Sequence, residues 1–488
     1  MSKRNIVFFI LAIPLILIGI IAAFWNPNWF KSNIENQLET VPHVGIEFGE
    51  IQHSLLSPGE IAVNDISLSG ELVSGSIGSL SVKTQVNPLL SKQVIVDEII
   101  LDSPNLNFNA LALTQLPQEQ GTEEASKDNT EIPPSESEPL PIQQLLVKTI
   151  KIKNATLTDI SEQKLFSITG LNLSLDNIDV IENGSILPPE AMPPVSLNIS
   201  TGKTQIANYF TGILQLALQG NGKAVTLSNL EAKTQNSVVS LSGTVTNPLQ
   251  TPTVSLNIND SKVDLDEFSM FFADLPIKPA GAVNLSGNID EFLLADTKEA
   301  MMQSLSGGLQ LGFRQGKIDG IDINQMVSAL KATRETDAKD IGSLLLTGPV
   351  GILATQFVDL GSGTLALTGE TQIPQLLFNT KIDQGTLNLE DTAFATDEYR
   401  MALSGGVDLV TSQFKDFTFA LLDNKGCADI EQTLNGDFSN PEGAVADTLL
   451  NTVAAPLAGL FKGLTQPSKK ECSPVYQGDV KHPQGSKN

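Results

Sequence analysis

Runs in which every second side chain is apolar fill much of this 488-residue chain and decide what it can fold into. Leu171, Leu173 and Leu175 alternate with Asn172, Ser174 and Asp176, and Val195, Leu197 and Ile199 with Ser196, Asn198 and Ser200. Leu214, Leu216 and Leu218 repeat the pattern, as do Val254, Leu256 and Ile258. Leu309, Leu311 and Phe313 share one face of a further strand, and Phe417, Phe419 and Leu421 one face of another. Successive side chains of a strand point to opposite faces, so each run makes a half-buried strand, greasy on one side and polar on the other. A tripeptide of Leu, then Ser, Thr or Asn, then Gly recurs, at Leu68, Leu241, Leu285, Leu305, Leu346, Leu367, Leu403 and Leu434. Each copy reads as a strand ending in a turn, because Gly admits the positive φ that reversal needs. The expected body is a long antiparallel meander. The alternation lapses over residues 264–275, 295–305 and 322–336, where Ile323, Met326, Val327 and Leu330 have helical spacing.

The N-terminus differs in kind. Ile6 to Trp25 carries no charge, and a helix of that length matches the ~30 Å hydrocarbon core of a bilayer. Trp25 and Trp29 fall where amphipathic rings favour the interface. Lys3 and Arg4 precede the span, while Glu35, Glu39, Glu47 and Glu50 follow it, so the positive-inside rule puts the N-terminus in the cytoplasm and exports the body. Ile21-Ala22-Ala23 is a poor cleavage site, which favours a retained anchor. After it, Asn28 is placed to cap a short helix through about Glu39.

The formal net charge of −25 argues against nucleic acid as a partner and against broad contact with anionic headgroups. From about Gln115 to Pro141 the chain is Glu, Ser, Thr and Pro with almost nothing apolar, a composition expected to form a disordered linker between two β segments. An amphipathic helix is expected between Pro441 and Leu464. Cys427 and Cys472 are the two cysteines; in an oxidising compartment they are expected to pair, the alternative being two separate buried thiols.

Catalytic chemistry has little to stand on. His43, His53 and His482 lie beside no cysteine or carboxylate at ligand spacing, and Asp264, Asp266 and Glu267 lack the loop glycine of a calcium site, so no metal site is expected. Gly361-Ser362-Gly363 lacks the helix that a phosphate cradle requires, and no nucleophile elbow or dinucleotide fingerprint occurs. Neither enzyme activity nor a cofactor is expected. The apolar strand faces are the remaining chemistry. A one-sided sheet must cover its greasy face with a second sheet, with helices or with a ligand, and the helices are too few. Burying ~16 methylenes of an acyl chain is worth ~13 kcal/mol, so a curled sheet forms a trough competitive with a bilayer. A closed sandwich fits the same alternation. An outer-membrane barrel does not, because three tyrosines make no aromatic girdles.

The order of these features resembles the AsmA-like family of Gram-negative bacteria. The resemblance is carried by the anchor, the Asn26-Pro27-Asn28 junction and IEFGEIQHSLLSPGEIAVNDISLSG, then by LSGGLQLGFRQGKIDGIDINQMV and GTLNLEDTAFATDEYRMALSGGVDLV. The ending CSPVYQGDVKHP is similar to one subgroup, in which a disulfide at Cys427 and Cys472 is also implied. The resemblance implies an inner-membrane protein with a periplasmic β groove of the bridge-like lipid-transfer type, moving phospholipid toward the outer membrane. The expected organisation is a cytoplasmic N-terminus (1–5), an anchor (6–25), an N-terminal β segment (26–114), a linker (115–141), a central β segment (142–300), an AsmA-like segment (301–440) and a disulfide-closed tail (441–488). Expected partners are phospholipid acyl chains, the inner membrane and an outer-membrane or periplasmic protein. The alternative function is a membrane-tethered scaffold that assists outer-membrane assembly through protein contacts.

Overall fold

A computed structural model describes residues 44–54, 57–111, 142–207, 209–273, 275, 277–335, 369–437 and 473–483. Expectations for the anchor with Lys3, Arg4, Trp25 and Trp29, for the helix after Asn28, for His43, for the linker, for Gly361-Ser362-Gly363, for the 441–464 helix and for Cys472 lie outside those residues. No helix among the described residues is long and apolar enough to cross a membrane. The chain divides into two compact units, Met1–Thr234 and Gln235–Asn488, the division falling inside the expected central segment.

In the first unit the elements are β1 (Val44–Glu47), β2 (Ile51–Ser54), β3 (Ser57–Gly70), β4 (Val73–Thr84), the single turn α1 (Val86–Leu89), β5 (Gln93–Asp102), β6 (Asn105–Phe108), β7 (Gln144–Asp159), β8 (Phe166–Glu182), β9 (Ser185–Ile186), β10 (Val195–Ser200), β11 (Thr204–Ile206), β12 (Phe210–Gly220) and β13 (Ala224–Lys233). Neighbours pair antiparallel, with one exception. β7 lies parallel to both β5 and β6. Parallel neighbours need a long crossover, and residues 109–143, which contain the acidic stretch, are that crossover. The linker therefore leaves the sheet continuous, since β5 hydrogen-bonds β7 directly. Ion pairs of Lys148 with Asp97 and Lys151 with Glu98, both 2.7 Å, bridge the parallel pair.

The second unit holds β14 (Val238–Thr246), β15 (Thr253–Asp264), a 3-10 helix (Leu265–Phe272), β16 (Lys278–Ala280), β17 (Ala282–Leu293), α2 (Lys298–Ser304), β18 (Ser306–Asp319), α3 (Ile323–Glu335), β19 (Glu370–Asp383), β20 (Thr386–Ala395), β21 (Arg400–Asp408), β22 (Gln413–Leu422) and β23 (Ala428–Asp437). The three helices stand where the alternation lapses. Asp264 caps the 3-10 helix through the amide of Asp266 (3.1 Å), and Glu267 accepts from the Asn236 amide and the Ser237 hydroxyl. Two of the acidic trio, Asp264 and Glu267, are thus spent on local backbone and hydroxyl groups.

The recurring tripeptide requires a correction. Leu241-Ser242-Gly243, Leu285-Ser286-Gly287 and Leu403-Ser404-Gly405 lie inside strands, not at their ends. A strand glycine also serves where a neighbouring backbone comes close or the ladder bulges. A Cβ on Gly287 would stand 2.4 Å from the Gly308 carbonyl, and Gly405 has φ +87° at a bulge, with the Asp416 carbonyl 2.0 Å from where its Cβ would be.

Candidate functional site

Strand register in the first unit brings the apolar positions into rows that run across the sheet. Ile51, Val63, Leu80, Leu101, Ile152, Leu173, Ile199, Leu216 and Leu230 are paired each to the next, crossing β2, β3, β4, β5, β7, β8, β10, β12 and β13. Beside them run Ile61, Val82, Ile99, Ile150, Leu175, Leu197, Leu218 and Leu227. Neither row contains a polar residue. The shift in register between Ala217 and Leu218 sets Leu227 and Leu230, three residues apart, opposite Leu218 and Leu216 and so keeps both on the apolar face.

Coverage changes along the rows. Toward β4, β5 and β7 the face closes into a core of Val82, Val94, Val96, Ile99, Leu145, Val147 and Ile181, against which α1 packs Leu89. From β8 to β13 every member of both rows is half-buried, and none of them joins a buried core cluster among the described residues. At ~4.8 Å per strand the nine-strand row extends ~38 Å, more than twice the ~15 Å half-thickness of a bilayer core that one acyl chain fills.

Six of the expected residues, Leu173, Leu175, Leu197, Ile199, Leu216 and Leu218, lie side by side in these rows. Leu171, Val195 and Leu214 flank them, opposite Ala155, Gly220 and Ala232, and are also half-buried. Sequence reasoning missed the continuation through β3, β4, β5 and β7. The alternation was present there, but bulges between Lys83 and Thr84 and between Ile152 and Ala155 break the parity that makes it readable.

A cavity of about 410 Å³ lies in the same unit, across β7, β8, β10, β12 and β13. Lys151 and Lys153, Asn172 and Ser174, and Asn198 and Ser200 line it in pairs around Ile152, Leu173 and Ile199. Its lining joins amides, hydroxyls and ammonium groups to the row members Ile152, Leu173, Ile199 and Leu216.

The second unit has its own row: Val263, Val283, Phe313, Leu376, Phe394, Met401, Leu421 and Ile430, from β15 through β23. Here the face is covered. Ile323 and Val327 of α3 pack on Phe313, Phe394, Met401, Phe419 and Leu421, joined by Leu265 of the 3-10 helix. Of the expected residues in this unit, Phe313, Phe419 and Leu421 are therefore buried, whereas Val254, Leu256, Ile258, Leu309, Leu311 and Phe417 stay half-buried. Phe417 is opposite Leu434 and stacks at 5.1 Å on Phe414.

The opposite face of β20–β22 is covered too, by residues 473–483. Tyr476 and Val480 pack on Ala393, Ala395, Ala402, Ala420 and Leu422. Arg400 donates to the carbonyls of Val480 (3.2 Å) and Asp423 (2.8 Å) beneath the Tyr476 ring, and the Tyr476 hydroxyl donates to Asp391 (2.5 Å). Burial and the Asp391 carboxylate hold the Tyr476 phenol above its usual range. His482 is pushed below its ordinary range, first by burial and then by the Arg400 charge. Cys427 is buried and is not a free thiol.

No curated protein sequence matches the chain, and no solved structure does. The N-terminal third behaves differently, for residues 1–185, which include the strands where the paired apolar rows begin, match the AsmA family. Over that stretch the chain is similar to the AsmA family.

Proposed function

We propose that the protein carries phospholipid tails along the apolar face of its first-unit sheet, between an inner membrane that residues 6–25 anchor it to and an outer membrane. The two unbroken rows support this most directly, because they present hydrocarbon-compatible surface across successive strands without a polar barrier. The AsmA match points to the same broad role in lipid transport and outer-membrane assembly. Acyl chains lie along the rows while headgroups stay wet at the strand ends, and the carrier performs no covalent chemistry. Body and tail are periplasmic in this reading. A Cys427–Cys472 disulfide belongs to it as well: the Val475 and Tyr476 amides both donate to the carbonyl of Gly426, so the chain just after Cys472 lies beside Cys427.

The rival reading, a tethered scaffold working through protein contacts, draws on β20–β22, whose two faces are both packed by protein. Benzoylphenylalanine placed at Leu216 or at Gln215 in the full-length, membrane-anchored protein separates the two. Lipid adducts at the Leu216 position and few at Gln215 are expected. Equal lipid labelling of both, or protein adducts alone, would overturn the transfer reading.

A further inference from the structure

In the second unit an eight-strand apolar row is as continuous as those of the first, yet its centre is occupied by the chain's own helix. We propose that α3 is a displaceable stand-in for acyl chain, so that its seat, centred on Phe394, Met401 and Leu421, is a second lipid-binding site that opens when the helix lifts. This rests on the transfer reading above and adds a site and a switch to it.

The way α3 is held supports the idea. Its start is fixed firmly: Asp322 accepts from the Gln325 amide (2.8 Å), and Thr371 accepts from the Ile323 amide (2.8 Å) while donating to the Ile321 carbonyl (2.7 Å). Thr371 is itself fully buried. One turn on, Met326 and Val327 pack on the sheet, and the polar fastenings beyond them lie at the surface. Ser328 meets the Tyr399 hydroxyl at 3.0 Å, and Lys331 reaches Asp429 at 3.3 Å with the Tyr399 ring 5.0 Å below it. Lys331 and Asp429 are each about 40% exposed, at 40% and 42%, and exposed pairs of this kind contribute little and are screened by salt. A helix pinned by its buried N-terminus and by the Thr396 hydroxyl donating to Asn324, seated on the sheet through Met326 and Val327, and latched farther on by surface contacts, hinges at residues 321–323. Lifting it exposes Met401 and Leu421, which are 1% exposed with α3 in place, on a row in which Val263, Leu376, Phe394 and Ile430 are already half-buried. That is a surface of the same chemistry as the open rows of the first unit.

The test uses the full-length protein in membranes, with benzoylphenylalanine at Phe394 and, separately, at Leu216. With the latches intact the Phe394 probe is expected to label α3, and in the double variant Lys331→Ala, Tyr399→Phe lipid adducts at that position should rise at least fivefold. Labelling at Leu216 should not change. A Phe394 probe that never takes lipid in the latch variant, while Leu216 does, overturns the inference and leaves the transfer reading standing; loss of lipid at both positions overturns both. Thermal unfolding of the variant within a few degrees of the parent separates lifting of the helix from loss of the fold, and Ser328→Ala, which removes one surface contact only, gives a milder version that should raise Phe394 lipid labelling in proportion.

Discussion

Asp159 shows how much one side chain fixes here. It is 2% exposed and accepts from the amides of Ala110 (3.1 Å), Ser161 (2.9 Å) and Leu165 (2.7 Å) and from the Ser161 hydroxyl (2.7 Å), tying the exit of β6 to the β7–β8 turn. Burial alone would raise its pKa, but these four donors outweigh it and bring the carboxyl down to about 2. The folded value lies below the unfolded one, so the stabilisation is complete above about pH 4 and is lost as pH falls toward 2. Asp159→Asn should cost about 2 kcal/mol at neutral pH, as expected when a buried charged acceptor is removed from its donors. Calorimetry at pH 7 and pH 2 should find the difference between variant and parent shrinking at the lower pH. His482 runs in the same direction at higher pH. Its lowered value favours the neutral ring when the tail is seated, so the tail's hold is full above about pH 6.5 and weakens as pH falls below it. Proteolysis of the tail should accelerate on going from pH 7.5 to 5.5, and His482→Gln should flatten that dependence.

At the scale of elements, the apolar rows are a prediction about registers. Leu216→Asp places a charge in the middle of one row at a half-buried site on β12. The chain should still fold, since the carboxylate reaches water, yet lipid labelling from a probe at Leu197 should drop severalfold; unchanged labelling would mean that tails do not cross β12. Gln215→Asp, on the polar face, is the matched control and should change nothing. How far this was legible in the sequence follows from the strands themselves. Where Leu alternates with Asn or Ser without a break, as in β8, β10 and β12, sequence alone gave the face. In β5, Val94, Ile95 and Val96 are all apolar, and a register shift between Lys83 and Thr84 decides which of them faces inward. Periodicity cannot carry that information, because a single bulge inverts parity for the rest of a strand. The same limit explains the tripeptide, whose glycines answer to close backbones on neighbouring strands that no local window contains. The covering of Phe419 and Leu421 by α3 was illegible for another reason: helical spacing announces a helix but not the sheet it sits on.

For the whole molecule, the parallel pairing of β7 sets a minimum on the acidic connection that no motif expresses. Phe108 lies opposite Asp159, at the far end of the sixteen-residue β7, so the chain leaving β6 must return to Gln144 before β7 can begin. At ~3.3 Å per residue that return is ~50 Å, which an extended chain needs at least ~15 residues to span. Residues 109–143 supply more than twice that. Replacing the native connection with ~20 residues of Gly and Ser should therefore preserve thermal stability and lipid labelling at Leu216, even though most of the linker's negative charge is gone. Cutting it to ~8 residues should tear β7 from β5 and β6, lower the unfolding temperature and split both apolar rows at the same joint, where Leu101 meets Ile152 and Ile99 meets Ile150. If the 20-residue version lost lipid labelling while remaining folded, the acidic stretch would be acting on lipid itself, and the role assigned to it here, as slack that lets a parallel strand complete the greasy face, would have to be abandoned.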